Sequence, residues 1–278
     1  MSAMTWEQAV RWYREQPGNE AAIRANYFDL PVRRAVERFA ASEEAAEILR
    51  LLGPAGGRRI LDLGAGNGLA SYTFARAGWQ VTALEPDESE EVGAGAIRAL
   101  AAEAGLKIEL TELASDRLPF PDASFDAVFA RQVLHHVPDL AQTMRDLHRL
   151  LRPGGTFLAT REHVADDAEQ IARFRQRHPL HHLYGGENAH PLATYLATAR
   201  DAGFVLREQW GPLQSVLNFH PGTEAERRRT VALVVAQQFG GLGRLALLSP
   251  RLTELQLARA TARDCAPGRI FSFLWVKP

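Results

Sequence analysis

The first residues that could do chemistry form a glycine turn flanked by carboxylates. The short apolar segment 60–63, which contains Asp62, runs into Gly64-Ala65-Gly66, and Glu85 ends the next apolar segment 21 positions after Gly64. Glycines let a backbone approach a ligand where a Cβ atom would collide. An acidic residue about 20 positions after such a turn is placed to bind ribose hydroxyls. This spacing predicts a site for a nucleoside-containing cofactor.

The glycine spacing leaves two kinds of cofactor open. A dinucleotide fingerprint has glycine at its first, third and sixth positions. Here the glycines are Gly64, Gly66 and Gly68, and the sixth position is Leu69. The spacing therefore disfavours a nicotinamide dinucleotide and hydride transfer without excluding them. A turn that only packs a helix against a strand is the structural alternative, and Glu85 argues against it.

Three side chains downstream are candidates for catalysis. His136 follows the fourth apolar segment, and Arg161 and His163 follow the fifth. Histidine has a pKa near 6.5 and can accept a proton near neutrality, and Arg161 could pair with an acidic acceptor. Each also has a structural interpretation: His136 could pack at the start of a helix, His163 could cap one, and Arg161 could pair with Glu162 or lie in solvent.

Residues 178–190 predict a polar loop around Gly185-Gly186. Tyr184, Glu187, Asn188 and His182 can all form hydrogen bonds, which suits a loop that closes over a polar substrate. The segment is rich in histidine, but His181 and His182 are adjacent and do not readily share a face. The spacing of paired zinc ligands is absent. The sequence therefore predicts substrate binding and no metal.

The elements that must position these residues alternate between strand and helix. Residues 1–56 have helical patterns, and strands are predicted at residues 60–63, 79–84, 107–113, 126–130, 156–160 and 204–209. Such a succession favours an α/β fold with a doubly wound parallel sheet. Ligands bind beyond the carboxyl ends of the strands in these sheets. The glycine turn and the three catalytic candidates all follow predicted strands.

Residues 58–162 resemble the class I S-adenosylmethionine-dependent methyltransferases. The loop LPFPDASFD at 118–126, the sequence HHVP at 135–138 and the turn LRPGG at 151–155 occur in this order in that family. The resemblance implies a seven-stranded, mostly parallel, Rossmann-like sheet with residues 269–276 as an antiparallel last strand. It also implies S-adenosylmethionine as the cofactor and S-adenosylhomocysteine as the product.

The resemblance assigns candidate contacts to this cofactor. Asp62 and the glycines would hold its methionine end, and Glu85 its ribose hydroxyls. Family members commonly carry an Asp after the third strand for the adenine, but Ala114 stands there, so Ser115 or Asp116 would take that role. The expected cofactor contacts are Asp62, Gly64, Ala65, Gly66, Glu85, Pro86, Ser115, Asp116, Arg131 and Tyr27.

Three parts of the chain are predicted. Residues 1–56 form an N-terminal helical lid, residues 57–211 with 269–278 form the cofactor-binding core, and residues 212–268 form a helical insertion over the substrate side. Tyr27 and Phe28 interrupt the lid helices and would lie over the cofactor or pack in the core. The insertion, with helices at 223–239 and 251–263, could instead be a structural cap or a dimer surface.

Composition limits the partners and the compartment. The net charge of −1 offers no global attraction to nucleic acid or to an anionic membrane. Cys265 is the single cysteine, which excludes an internal disulfide and fits a cytoplasmic protein. The first ten residues lack an apolar signal core, and residues 231–248 read as a buried helix rather than a membrane span. We expect a monomer or homodimer.

The sequence thus predicts an enzyme that moves a methyl group from S-adenosylmethionine to a small polar metabolite by in-line displacement. Oxygen is the first choice of acceptor atom, ahead of nitrogen or carbon. The enzyme would align the acceptor and exclude water. Two alternatives stay open: an NAD-type oxidoreductase, and a non-catalytic partner subunit that binds the cofactor without turnover.

Overall fold

A seven-stranded sheet forms the centre of the molecule. The computed structural model describes residues 4–112, 117–177, 180–184 and 188–278, apart from the side chains of residues 181, 182, 239, 242–244 and 246. The strands lie in the order β3-β2-β1-β4-β5-β7-β6, and only β7 is antiparallel to its neighbours. This confirms the predicted fold and the antiparallel last strand. The strands are β1 Arg59–Leu63, β2 Gln80–Leu84, β3 Ile108–Thr111, β4 Phe125–Arg131, β5 Leu151–Val164, β6 Val205–Trp210 and β7 Arg269–Val276.

Helices cover both faces of the sheet. One face carries a core with α3, α4 and α5, and the other carries a core with α7 and α10. Burying these apolar faces is the main stabilising term for such a layered fold. The helices are α1 Trp6–Glu15, α2 Glu20–Ala25, α3 Val32–Ala40, α4 Glu43–Leu52, α5 Leu69–Arg76, α6 Ala94–Ala104, α7 Leu140–Leu150, α8 Ala168–Arg177, α9 His181–Tyr184, α10 Leu192–Asp201, α11 Glu224–Ala246 and α12 Pro250–Arg263.

Side-chain caps fix where the helices that support the site begin. The hydroxyl of Ser42 accepts a hydrogen bond from the backbone N–H of Ala45 at the start of α4. The Asp139 carboxylate accepts one from the backbone N–H of Gln142 at the start of α7. Such caps satisfy backbone donors that the helix leaves unpaired. The second cap fixes the point where the chain leaves the HHVP segment and enters α7.

Strand β5 is longer than the sequence indicated and carries a bulge. We predicted that it ends at Thr160, but it continues to Val164, and its pairing with β7 shifts register between Ala159 and Glu162. Arg161, within the bulge, has a φ of +61°, a left-handed conformation that is uncommon outside glycine. A bulge redirects the side chains that follow it. This change decides which side chains of the strand reach the site.

The predicted insertion forms a helical hairpin with its own small core. Val231 and Val235 of α11 pack against Leu257 of α12. Helix α11 runs beyond its predicted end, through Gly240, where the backbone is not helical. None of the described helices is both long and apolar enough to cross a bilayer.

Candidate active site

A cavity of about 1010 Å³ opens where β1, β2 and β4 end. This is the position at which open α/β sheets bind ligands. Its volume lies at the upper end of the roughly 300–1,000 Å³ typical of small-molecule sites, which leaves room for a cofactor and a second molecule. The described wall residues are Trp6, Tyr13, Asn26, Phe28, Asp62–Gly66, Asn67, Leu69, Ala70, Leu84–Asp87, Val92, Leu118, Pro119, Arg131–Val133, His135–Asp139, Gln142, Thr143, His163, Leu180 and Tyr184.

The glycine turn after β1 forms one wall of the cavity. Gly64 and Gly66 have φ values of +62° and +56°, a backbone conformation that residues other than glycine rarely adopt. A Cβ atom at Gly64 would lie 2.8 Å from Cγ2 of Val133. The turn can therefore lie this close to the segment after β4 only because residue 64 has no Cβ atom. Its backbone is left accessible from the cavity.

Glu85 is anchored to this turn by two backbone donors. Its Oε2 accepts a hydrogen bond from the Gly66 N–H at 2.6 Å, and its Oε1 accepts one from the Asp87 N–H at 2.9 Å. Burial raises the pKa of the Glu85 carboxyl to about 7, although both donors act in the opposite direction. Each carboxylate oxygen keeps a further acceptor site. Glu85 can therefore receive the two hydroxyls of a ribose.

Asp62 lies behind the glycine turn and is also buried. The Ser71 hydroxyl of α5 donates to its Oδ2 at 2.6 Å. Burial raises the pKa of the Asp62 carboxyl to about 7, against the effect of Ser71. Asp62 is part of the cavity wall, where its carboxylate suits a cationic group such as an ammonium.

His135 and Glu162 form a buried histidine–carboxylate pair, and neither residue was predicted from the sequence. Nδ1 of His135 lies 2.7 Å from Oε2 of Glu162, and both side chains are buried. The Glu162 oxygens also accept hydrogen bonds from the backbone N–H groups of Val133 and His135. With Glu162 ionised, its carboxylate pairs with a protonated Nδ1, and Nε2 is then the basic nitrogen of the His135 ring. The backbone nitrogen of His163 also lies 3.5 Å from this Nδ1.

The geometry of Glu162 explains how this pair is held. The bulge in β5 brings Glu162 beneath the HHVP segment, although 27 positions separate it from His135. Burial raises the pKa of Glu162 to about 7, while its backbone donors and nearby His136 oppose that rise. No local signal marks this pair, because it depends on the register of two neighbouring strands.

His136 and His163, the two histidines that the sequence predicted as catalytic candidates, also lie in the cavity wall. The His136 ring is 4.2 Å from that of His135, and the His163 ring is 4.6 Å from it on another side. Nδ1 of His163 donates to the carbonyl oxygen of Gly268 at 3.0 Å, which leaves Nε2 as an acceptor. Three imidazoles therefore meet at one end of the cavity.

Arg161 lies outside the cavity wall, which does not support its predicted catalytic role. Its side chain is buried near Glu44 and Arg131, where Nη1 donates to the Leu217 carbonyl at 3.4 Å and Nε has no hydrogen-bond partner among the described residues. Burial lowers the pKa of Arg161 to about 10. The physical reason is the bulge, which turns Glu162 and His163 toward the HHVP segment but leaves Arg161 on the other side.

Tyr27 also lies outside the cavity wall. Its position agrees with the prediction that it packs in the core and not with the prediction that it contacts the cofactor. Its ring packs at 5.4 Å from Phe39 and stacks at 4.7 Å on His220. Its backbone carbonyl accepts a hydrogen bond from Asn67, next to the glycine turn. Tyr27 therefore supports the turn indirectly, while the neighbouring Phe28 is part of the wall as a lid residue.

Arg131 belongs to the wall and is also part of a buried ion cluster. Its Nε lies 2.8 Å from Oε1 of Glu44, whose Oε2 lies 3.5 Å from Nδ1 of His220. Arg161 is also close to Glu44. The cluster of Glu44, Arg131, Arg161 and His220 ties together α4, β4, β5 and the start of the insertion.

Of the predicted substrate-binding residues, Tyr184 lies in the wall. The Asn188 backbone N–H donates to the carbonyl of His135 at 2.6 Å, and its side chain donates to that of His136 at 3.3 Å. Asn188 therefore holds the HHVP segment in place and is not itself in the described wall. Glu187, the side chain of His182, Ser115 and Asp116 lie outside the described residues. Among the side chains that are described, no group of three His, Cys, Asp or Glu could hold a metal ion.

Aromatic side chains from the N-terminal helices and from α9 meet at one side of the cavity, and the sequence did not predict that they would meet. Trp6 packs edge-on against Phe28 at 5.6 Å and against Tyr184 at 4.8 Å, and Tyr13 lies in the same wall. Sequence periodicity shows only that Trp6 and Tyr13 share the apolar face of α1. It cannot tell a core contact from a wall facing a ligand.

The insertion does not line the described cavity, which corrects the prediction that it shapes the substrate pocket. Its helices bury their apolar faces mainly against each other. The chain before α11 is held at the β6–β7 side, where Ser272 of β7 donates to the Asn218 side chain at 2.6 Å. Besides the glycine turn and the strand ends, the described walls come from the N-terminal helices, α9 and the HHVP segment.

Comparison with known proteins places the chain among methyltransferases. A methyltransferase domain family matches residues 61–159. The ubiquinone biosynthesis O-methyltransferase of Ralstonia nicotianae is 30% identical over 162 residues, which cover 58% of this chain and 66% of that protein. The protein of the same name from Xanthomonas campestris pv. campestris is 34% identical over 167 residues, which cover 55% and 68%. The matched segment thus spans about two thirds of the length of each relative.

Solved structures share the fold. A geranyl diphosphate methyltransferase in complex with S-adenosylmethionine aligns over 96% of this chain and 95% of its own, with a TM-score of 0.58 and 16% identity. An S-adenosylmethionine-dependent methyltransferase from Mesorhizobium loti aligns over 86% and 99%, with a TM-score of 0.54 and 20% identity. At these identities the likeness establishes the architecture alone.

Proposed function

Since this chain belongs to the class I S-adenosylmethionine-dependent methyltransferases, we propose that it methylates a hydroxyl oxygen on a small molecule with an apolar body. Its cofactor is S-adenosylmethionine, which removes the hydride-transfer alternative. The observation that carries the proposal is the His135–Glu162 pair, whose histidine lies in the same cavity wall as the glycine turn.

The residues present fit this cofactor. The glycine turn leaves an accessible backbone, Asp62 suits the ammonium of the methionine end, and Glu85 suits the ribose hydroxyls. The proposal is supported by five further predicted cofactor contacts that line the same wall as these two acids: Gly64, Ala65, Gly66, Pro86 and Arg131. When bound, S-adenosylmethionine supplies an activated methyl group on a sulfonium.

The protein contributes proton transfer and orientation. Nε2 of His135 would accept the proton of the acceptor hydroxyl, because Nδ1 is held by Glu162. The buried carboxylate fixes the tautomer and stabilises the imidazolium that forms, as in other acid–histidine pairs. The walls from the lid and α9 would exclude water and hold the acceptor near attack distance.

The aromatic residues in the cavity wall indicate what kind of molecule would accept the methyl group. Trp6, Phe28 and Tyr184 present large apolar rings, and such rings bind other planar or apolar groups. This favours a phenol or another ring-bearing hydroxyl compound over the polar metabolite expected from the sequence. The names of both relatives, ubiquinone biosynthesis O-methyltransferases, support oxygen as the acceptor atom.

The proposal is tested by incubating the protein with methyl-labelled S-adenosylmethionine and matched acceptors. The set contains phenols, ring-bearing alcohols, small polar alcohols and amines of similar size. Mass spectrometry of the products identifies the methylated atom. Methylation of ring-bearing hydroxyls supports the proposal, and methylation confined to amines or carbon would overturn it.

Replacing Trp6 by Ala should raise KM for a ring-bearing acceptor roughly two- to tenfold, because a ring contact contributes about 0.5–1.5 kcal/mol. KM for S-adenosylmethionine should change less. The matched control is Trp12→Ala, since Trp12 lies on the same helix but is exposed and outside the described wall. Equal effects of the two substitutions on acceptor KM would remove Trp6 from the acceptor site.

Replacing Glu85 by Ala should weaken binding of S-adenosylhomocysteine roughly ten- to a hundredfold. A hydrogen bond to a charged group contributes about 1.5–3 kcal/mol, and the ribose would lose its acceptors. Isothermal titration calorimetry measures the change. Glu88→Ala in the same loop is the control, since Glu88 is not in the described wall. An unchanged Kd in Glu85→Ala would contradict the ribose assignment.

A further inference from the structure

The hairpin of residues 224–263 (α11, α12 and their connection) exposes an unusual number of leucines. Large hydrophobic side chains are exposed at only ten described positions, and five of these are leucines within residues 233–255. Leu248 at the turn is 83% exposed and Leu233 on α11 is 72% exposed. Clustered apolar exposure of this kind marks an interaction surface more often than scattered single residues do.

The exposed leucines form a stripe rather than a disordered collection. Leu252 and Leu255 are spaced by three residues, which places them on one side of α12, and Leu248 lies in the turn just before this helix. The opposite side of α12 is already used, because Leu257 packs against α11. The outer stripe therefore has no partner within the described parts of the chain.

The hairpin also differs in charge from the rest of the molecule. Residues 224–263 contain seven arginines and three glutamates, a net charge of +4 in a chain whose total is −1. Arg227 and Arg228 pair with Glu224. The side chains of Arg229, Arg251, Arg259 and Arg263 are solvent-exposed. The total charge of the chain conceals this local surplus.

We propose that the hairpin binds the surface of an anionic lipid bilayer. Its leucine stripe would enter the boundary between headgroups and acyl chains, and its arginines would lie at the level of anionic headgroups. A second copy of the chain is a poorer occupant, because a two-fold contact places the same surface on both sides. That contact would bring the surplus arginines of one hairpin close to those of the other.

The test is co-sedimentation of the full chain with vesicles of phosphatidylcholine alone or mixed with phosphatidylglycerol. We expect binding to the mixed vesicles, weakened by salt. The double substitution Leu248→Ser/Leu252→Ser should lower partitioning roughly tenfold or more, because two apolar side chains are lost from the buried stripe. Arg251→Gln/Arg259→Gln should weaken binding to the mixed vesicles only.

Matched controls are Leu206→Ser on the edge strand β6 and Arg200→Gln on α10, both exposed outside the hairpin. Thermal unfolding checks that every variant is folded. No binding by the wild type, or equal binding by wild type and the leucine variant, would overturn the proposal. So would a wild-type dimer in light scattering that the leucine variant converts to a monomer without any lipid binding, since the stripe would then face a second copy.

Discussion

Replacing His135 by Asn is expected to lower kcat about 10²–10⁴-fold, the usual contribution of a general base. The Asn side chain can still donate to Glu162, so the buried carboxylate keeps a hydrogen-bond partner, but no proton acceptor replaces Nε2. Single-turnover methyl transfer measures the chemical step. Calorimetry with S-adenosylhomocysteine should give nearly unchanged affinity.

His136→Asn and His163→Asn are the matched controls, because both residues lie in the same wall. A larger loss of kcat in either of them than in His135→Asn would move the base to that residue. The direct bond from Nδ1 of His135 to Glu162 is the reason that the largest loss is expected at His135. If the wild type binds S-adenosylhomocysteine tightly but turns over no acceptor of any class, the chain is a non-catalytic partner subunit.

Replacing Glu44 by Ala is expected to reduce the free energy of unfolding by about 3–5 kcal/mol, the cost of breaking a buried ion pair by removing one partner. Although burial opposes it, the guanidiniums of Arg131 and Arg161 hold the pKa of Glu44 below its usual range. Without Glu44, these two cations would remain buried near each other. Urea unfolding measures the change.

Glu47→Ala provides the comparison on the same helix. Glu47 pairs with Arg50, whose side chain is 65% exposed, and such surface pairs contribute about 0–1 kcal/mol. A loss below about 1 kcal/mol is therefore expected. If Glu44→Ala is no more destabilising than Glu47→Ala, the buried ion cluster does not stabilise the junction of α4, β4 and β5.

The sequence determined the parts that depend on local pattern. Strand β7 has the bounds that the family resemblance implied, residues 269–276, and the glycine turn follows β1 as expected. Glycine adopts a positive φ at little cost, so the glycines at positions 64 and 66 already indicate the backbone conformation of the turn. The ordered motifs from 118 to 155 gave the family, because their spacing is fixed by the strands that carry them.

Only the tertiary structure decided which polar side chains meet. The pairing of His135 with Glu162 depends on a bulge in β5 and on the register between β4 and β5, and neither is encoded in a local pattern. The same bulge removed Arg161 from the cavity. Trp6 reaches Tyr184 only because the lid folds back over a sheet that begins 53 residues later. Contacts between residues far apart in the chain follow from packing of the whole fold, which residue types and spacing alone do not specify.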